Sequence, residues 1–215
     1  MTFSSFKKQI VKIAKLDLPG EVSHHKMSPI ERLKELTAHA IKKNTAKKAA
    51  VMVLFYPNDA GETYLALILR KTYKGVHSAQ VGFPGGKSEP FDASSQDTAL
   101  RETEEEIGIP QKDISILKKI TEIFIPPSNF FVQPFIGICN KTPHFIPQEE
   151  EVEALIEVAL SHFLDDRICI TRTVTTSYAT DIEVPAYLLN DHVVWGATAM
   201  MLSEVRELLK EVINH

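Results

Sequence analysis

Hydrophobic positions follow two periods along this chain. Residues 3 to 16 place Phe6, Ile10, Ile13 and Ala14 at helical spacing, with Lys7, Lys8, Lys12 and Lys15 between them, which predicts a short amphipathic helix standing as an appendage. Pro19-Gly20 breaks the chain, and Ser28-Pro29 with Glu31 predicts the capped start of a second helix running to about Lys43. From Ala49 the pattern changes. AAVMVLFY (49–56) and TYLALILR (63–70) are nearly continuous apolar runs around an Asn58-Asp59-Ala60-Gly61 turn, which reads as a strand pair. KKITEIFIP (118–126), FFVQPFIGIC (130–139), VEALIEVAL (152–160), ICITRTVTT (168–176) and EVPAYLL (183–189) continue as strands, punctuated by Pro, Asn and Asp. Two helices interrupt them, from about Ala93 to Ile107 and from about Trp195 to Ile213, so the pattern predicts an α/β domain with a mixed sheet. The boundaries expected are a helical extension over 1–48 and a main domain over 49–215.

Composition narrows the class. The 215 residues, 44% hydrophobic and 24% charged, are those of a globular chain. No run approaches the roughly 20 apolar residues of a membrane-spanning helix, and MTFSSFKKQI lacks the features of a signal peptide, so a cytoplasmic protein is expected. Cys139 and Cys169 have no metal-ligand or disulfide spacing and are expected to be buried, inert thiols. The net charge of −4 hides an asymmetry: residues 1 to 48 hold 11 Lys+Arg against 4 Asp+Glu. That segment is read as a solvated helical face, with attraction of a small anion as the alternative. No nucleic-acid or membrane partner is expected, since the rest of the chain is too acidic.

The candidate chemistry lies at one helix end. Phe83-Pro84-Gly85-Gly86-Lys87 forms a glycine loop, followed by Asp92 and then Leu100-Arg101-Glu102-Thr103-Glu104-Glu105-Glu106-Ile107-Gly108-Ile109. Four glutamates at the negative end of a helix dipole are unfavourable, each i,i+4 like-charge pair costing about 0.2 to 0.5 kcal/mol. At about 100° per residue, Glu102, Glu105 and Glu106 fall on one arc and are expected to converge, while Glu104 points away. Leu100, Thr103 and Ile107 form a packing face, and Gly108 supplies the C-terminal cap. Hard carboxylate oxygens on a rigid element suit Mg²⁺ or Mn²⁺ completed by water and substrate phosphate. Gly85 and Gly86, lacking Cβ atoms, let the backbone pass close to such an ion or phosphate; Gly86 is placed at the ion and Gly85 at the substrate.

These residues resemble the Nudix box, G-x5-E-x7-R-E-U-x-E-E-x-G-U with U aliphatic. Arg101, Glu102, Glu105, Glu106, Gly108 and Ile109 fit. Asp92 stands in place of the first glutamate, Arg101 follows after eight residues instead of seven, and Thr103 takes an aliphatic place. The resemblance implies an α/β/α sandwich with a mixed sheet and extra N-terminal helices, and metal-dependent hydrolysis of a nucleoside diphosphate linked to another moiety. It gives Glu102, Glu105 and Glu106 to the ion and has Arg101 orient a glutamate. Glu102 is the first candidate for general base; Glu149, Glu150 and Glu151 are the alternative.

Upstream, Leu69-Arg70-Lys71 through His77 to Phe83-Pro84-Gly85-Gly86 resembles the extra motif of coenzyme A pyrophosphatases, with Arg70 and His77 in register and Lys74 one position from the expected arginine. Coenzyme A or a derivative, cleaved to 3',5'-ADP and 4'-phosphopantetheine, is the substrate implied; ADP-ribose or another nucleotide, and a non-catalytic nucleotide-sensing module, are the alternatives. Arg70, Lys71, Lys74 and Lys87 offer cations to such a substrate. His77 is read as a structural histidine before a catalytic one, and Trp195, the single tryptophan, as core packing before stacking on adenine. A homodimer is compatible with this reading.

Overall fold

The computed structural model describes residues 1–28, 45–71, 80–174 and 181–213. The helix expected up to Lys43 falls almost wholly outside them, as do Lys74 and His77. The centre of the molecule is β1 (Lys47–Pro57), which runs parallel to β7 (Phe130–Cys139) and antiparallel to β2 (Thr63–Arg70). Its side chains alternate between two cores: Ala49, Val51, Val53 and Phe55 enter one, Ala50, Met52, Leu54 and Tyr56 the other. A strand buried on both faces reads as an unbroken apolar run, which is why AAVMVLFY shows no alternation.

The mixed sheet has the order β3-β2-β1-β7-β5, where β3 is Val81–Gly82 and β5 is Ile114–Lys119. β4 (Gly85–Lys87) pairs with β1, β6 (Ile123–Ile125) with β7, and β8 (Val152–Ala159) with β2. One face carries α3 (Ser95–Ile107), through Ala99 and Ile107. The other carries α5 (Gly196–Ile213) together with α1 (Phe3–Ile10), and the short α4 (Leu160–Phe163) follows β8, giving the expected α/β/α sandwich.

Several expectations need correction. The run 118–126 is two strands, because Ile120 to Glu122 leave the ladder and Ile120 donates to the Pro134 carbonyl instead. β9 (Cys169–Val174), β10 (Ile182–Leu189) and β11 (His192–Trp195) form a separate antiparallel sheet. Its β10–β11 hairpin turns on Asn190 and Asp191 at φ 46° and 65°, the two-residue geometry that Asn and Asp tolerate. Cys169, at the start of β9, is exposed with its sulfur 3.6 Å from Arg206 Nη1, whereas Cys139 is buried. Trp195 is only partly buried, lining a cleft of about 200 Å³ with Leu69, Gln80 and His192. Among the described residues no helix is long and apolar enough to cross a membrane.

The N-terminal helix is no appendage. Phe6, Ile10 and Ile13 are fully buried, and the Phe6 ring lies 5.1 Å from that of Phe55. The helix tightens into a 3₁₀ turn over Val11–Lys15. After Gly20, α2 (Glu21–His25) docks on α5 through polar contacts: Ser23 Oγ to Ser203 Oγ at 3.2 Å, and His24 Nε2 to Glu204 Oε2 at 3.0 Å. Glu204 also accepts from the Thr121 hydroxyl at 2.6 Å. Burial opposes its ionisation, but the hydrogen bonds from His24 and Thr121 outweigh that and hold its carboxyl below the ordinary value.

The glycine segment expected as a loop is in fact strand β4, held against β1 by pairing of Gly85 with Val51 and Gly86 with Ala50. Gly85 has φ +147°, and a Cβ there would lie 2.4 Å from the Ala50 carbonyl oxygen and 2.5 Å from Val51 Cα. Backbone atoms cannot rotate away as a side chain can. Gly85→Ala is therefore expected to cost at least about 2 kcal/mol, read as a lower urea midpoint with unchanged slope.

Candidate functional site

Helix α3 is set by its two ends. The Ser94 hydroxyl accepts from the Asp97 N–H, stopping the helix short of the expected Ala93, and Gly108 closes it in the left-handed conformation at φ 76°. Thr98, Ala99, Thr103, Glu106 and Ile107 are buried. Thr103, standing where an aliphatic residue was expected, buries its hydroxyl by donating to the Ala99 carbonyl at 2.6 Å.

Glu106 lies between α3 and β4 with a side chain only 3% exposed. Its Oε2 accepts the Gly85 N–H at 2.7 Å and its Oε1 the Arg70 Nη1 at 2.9 Å, while Arg70 Nη2 donates to the Gly85 carbonyl at 2.6 Å. Burial pushes its carboxyl up to about 7, despite the Arg70 charge and the Gly85 N–H, and the charges of Glu102 and Glu151 push it further in the same direction.

Arg101 organises the other side. Its Nε and Nη2 grip the two oxygens of Asp92 at 2.9 and 3.0 Å, and Nη1 reaches Glu102 Oε1 at 2.9 Å and Glu105 Oε2 at 2.7 Å. Nη2 also donates to the Lys87 carbonyl at 3.1 Å. The Arg101 guanidinium holds the Asp92 carboxyl well below the usual carboxylate range, helped by the Glu89 N–H and the Thr98 hydroxyl. Asp92 was marked in the sequence only as a departure from pattern. Its role was missed because the extra residue before Arg101 obscures the register, yet the loop absorbs that residue and the carboxylate still meets the guanidinium. Phe91, 74% exposed, lays its ring against the same guanidinium, 5.5 Å from centroid to Cζ.

Glu102 rests on Gly86. A Cβ at Gly86 would lie 2.3 Å from Glu102 Oε2, so only glycine leaves room for this carboxylate. Burial raises the Glu102 carboxyl, Arg101 opposes that, and the charges of Glu105 and Glu151 add to the rise. Glu151 comes from the exposed loop before β8, tied to the end of β2 by the Lys71 N–H on its carbonyl at 2.9 Å. It is therefore the member of the 149–151 run whose charge reaches both Glu102 and Glu106. Lys87 is exposed and pairs with Glu89 at 3.0 Å.

The expected convergence of Glu102, Glu105 and Glu106 is not realised as a closed cluster. Glu105 is 57% exposed and turned onto Arg101, and among the described residues no three His, Cys, Asp or Glu side chains are gathered tightly enough to cage an ion. The carboxylates are divided between two guanidinium groups, Arg101 Nη1 holding both Glu102 and Glu105 while Arg70 holds Glu106. The donors nevertheless fit a hard divalent cation in kind: the charge of Glu151 bears on both Glu102 and Glu106, that of Glu102 bears on Glu106, and the missing Gly86 side chain lets the Glu102 carboxylate lie against β4.

Comparison with known proteins agrees with this geometry. The model for the NUDIX domain matches residues 46–168. Nudix hydrolase 15, mitochondrial, from Arabidopsis thaliana is 32% identical over 73% of this chain, and the chain spans only 56% of that relative's length. The uncharacterized Nudix hydrolase NudL of Yersinia pestis (strain Pestoides F) is 32% identical over 78% of this chain and 81% of its own. In fold, the chain is similar to the crystal structure of RenU, a Nudix hydrolase from M. smegmatis, with a TM-score of 0.53 and 14% identity over 78% of this chain and 88% of that one. This chain belongs to the Nudix hydrolase family.

Proposed function

We propose that the chain is a divalent-metal-dependent hydrolase of a nucleoside diphosphate linked to a second moiety, with coenzyme A or a derivative as its substrate and 3',5'-ADP and 4'-phosphopantetheine as products. The observation that carries the reading is the placement of two carboxylates against one glycine strand: Glu106 accepts the Gly85 N–H at 2.7 Å and Glu102 occupies the space beside Gly86, with the nearby negative charge of Glu151 raising both. Family members generally require divalent ions; here Glu102, Glu105, Glu106 and the backbone at Gly86 would hold Mg²⁺ or Mn²⁺. When bound, the ion neutralises phosphate charge and favours the ionised form of water.

The chain's own groups divide the remaining work. In the hydrolysis, water oxygen bonds to one phosphorus of the diphosphate, the bridging P–O bond breaks, and the bridging oxygen leaves on the other phosphate. Glu102 accepts the proton of the attacking water, its basicity raised by burial and kept in check by Arg101. Arg101, clamped by Asp92, fixes the orientation of Glu102. Lys71 and Lys87, on either side of the site in sequence, are cations available to the diphosphate and 3'-phosphate; the resemblance adds Lys74, near the expected arginine, and His77 as substrate-binding positions. The coenzyme A assignment is supported by Arg70 and Phe83-Pro84-Gly85-Gly86, which keep the register of the coenzyme A pyrophosphatase motif.

The deciding experiment incubates the protein with Mg²⁺ or Mn²⁺ and coenzyme A, ADP-ribose or nucleoside triphosphates, and resolves the products by chromatography. Release of 3',5'-ADP from coenzyme A is expected; preferential turnover of ADP-ribose would change the substrate, and no turnover at all would favour a nucleotide sensor. Glu105→Gln and Glu106→Gln are each expected to lower turnover at least about tenfold with little loss of stability. Full activity in both would contradict the metal assignment.

Gly86→Ala separates catalysis from folding. The obstacle to its Cβ is the mobile end of Glu102, so the thermal midpoint is expected to change little while turnover falls about tenfold or more through displacement of that carboxylate. Equal activity of the variant would remove Glu102 from the mechanism.

The raised Glu106 carboxyl gives a stability signature. Because its folded value is about 7 against an ordinary 4.5, the folded state binds the proton more tightly than the unfolded state does. Its stabilising contribution is present below about pH 4.5 and is lost as pH rises through about 7. In EDTA, thermal midpoints of the unsubstituted protein should therefore fall across that window more than those of Glu106→Gln. Added Mn²⁺ should restore them at pH 8.

A further inference from the structure

Arg70 is the cation that the sequence offers most directly to a substrate phosphate, yet its guanidinium is turned inward. It stands at the end of β2, where the register against β8 shifts between Leu69 and Arg70, and such an irregularity re-aims the side chain that follows it. The side chain is 23% exposed, and each of its terminal nitrogens has a partner. Nη1 holds Glu106 Oε1 at 2.9 Å and Nη2 holds the Gly85 carbonyl at 2.6 Å. The Gly85 N–H closes the ring on Glu106 Oε2 at 2.7 Å. Gly85 itself cannot shift, because β4 is seated directly on Ala50 and Val51.

We infer that Arg70 is a positioning residue that locks Glu106 against β4 as the fixed carboxylate of the metal site, rather than a cation that binds the substrate diphosphate. The inference rests on the metal reading above. Each Glu106 oxygen uses one lone pair within the ring and keeps another for an ion. Glu105, 57% exposed and, among the described residues, bonded to Arg101 alone, is the carboxylate that lies outside this ring. The site thus combines one ligand preset by a closed ring with others that adjust when the ion arrives.

Arg70→Lys tests this, because it keeps the charge but cannot span Glu106 and the Gly85 carbonyl together. Mn²⁺ alone is titrated into the full chain without substrate, and free Mn²⁺ is followed by electron paramagnetic resonance. The expected result is a roughly 10- to 100-fold weaker Mn²⁺ affinity, with KM for the hydrolysed nucleotide little changed at saturating Mn²⁺. Unchanged Mn²⁺ affinity with a raised KM would overturn the inference and return Arg70 to the substrate. A double-mutant cycle adds a second measure: in a Glu106→Gln background, Arg70→Lys should cause no further loss of Mn²⁺ affinity, and additive losses would overturn the positioning role. Failure of the unsubstituted protein to bind Mn²⁺ would overturn the metal reading itself, and this inference with it.

Discussion

Carboxylates pressed together in a half-dry space set the terms for the rest of the molecule. Glu106 has almost no contact with solvent, Glu102 is half-buried, and the charge of Glu151, in the exposed loop before β8, bears on both. An isolated buried carboxylate would simply take up a proton, because desolvation of the charged form costs several kcal/mol. Two guanidinium groups prevent that outcome from being complete. Arg70 serves Glu106 and Arg101 serves Glu102 and Glu105, so negative charge is retained where a divalent cation and phosphate would meet. The compensation is partial, as the raised Glu102 and Glu106 carboxyls show, and a divalent cation, as proposed, would complete it.

Holding such a site open requires a support that does not yield. β1 provides it, being packed on both faces and paired on both sides, and β4 lies on it so closely that Gly85 admits no side chain. The caps of α3 fix where its last two turns begin and end relative to that strand. Asp92 completes the frame by fastening Arg101 from the loop before the helix, which ties the approach segment to the helix.

The opposite face of the sheet handles a buried carboxylate differently. Glu204 on α5 is satisfied by His24 and Thr121, and its carboxyl is held low instead of being pushed up. The contrast separates two uses of a buried acid. On α5 the group is satisfied by His24 and Thr121 and joins α2 to the segment before β6; on α3 three acids share two arginines and two of them keep raised carboxyls. The basic lysines of α1 lie on the outward side of a helix whose apolar side is fully committed to the core.

Local features were legible in the residue order: the apolar run of β1, the turn at 58–61, the helix ending at Gly108, and the run of glutamates that no isolated helix would favour. These depend on period, punctuation and charge within a few positions, which a chain carries in itself. Asp92 was visible only as a misfit, since a one-residue insertion shifts a linear pattern but is absorbed by a loop in space. The inward turn of Arg70, the seating of Gly85 on Ala50 and the burial of the N-terminal helix were decided by contacts between segments far apart in the chain, whereas Glu105 meets Arg101 one turn away on its own helix. Sequence alone therefore determined which acids and arginines are present and on which elements; only the packing of those elements decided which acid each arginine serves, because a long flexible side chain takes its direction from whichever partner the tertiary structure brings within a hydrogen bond.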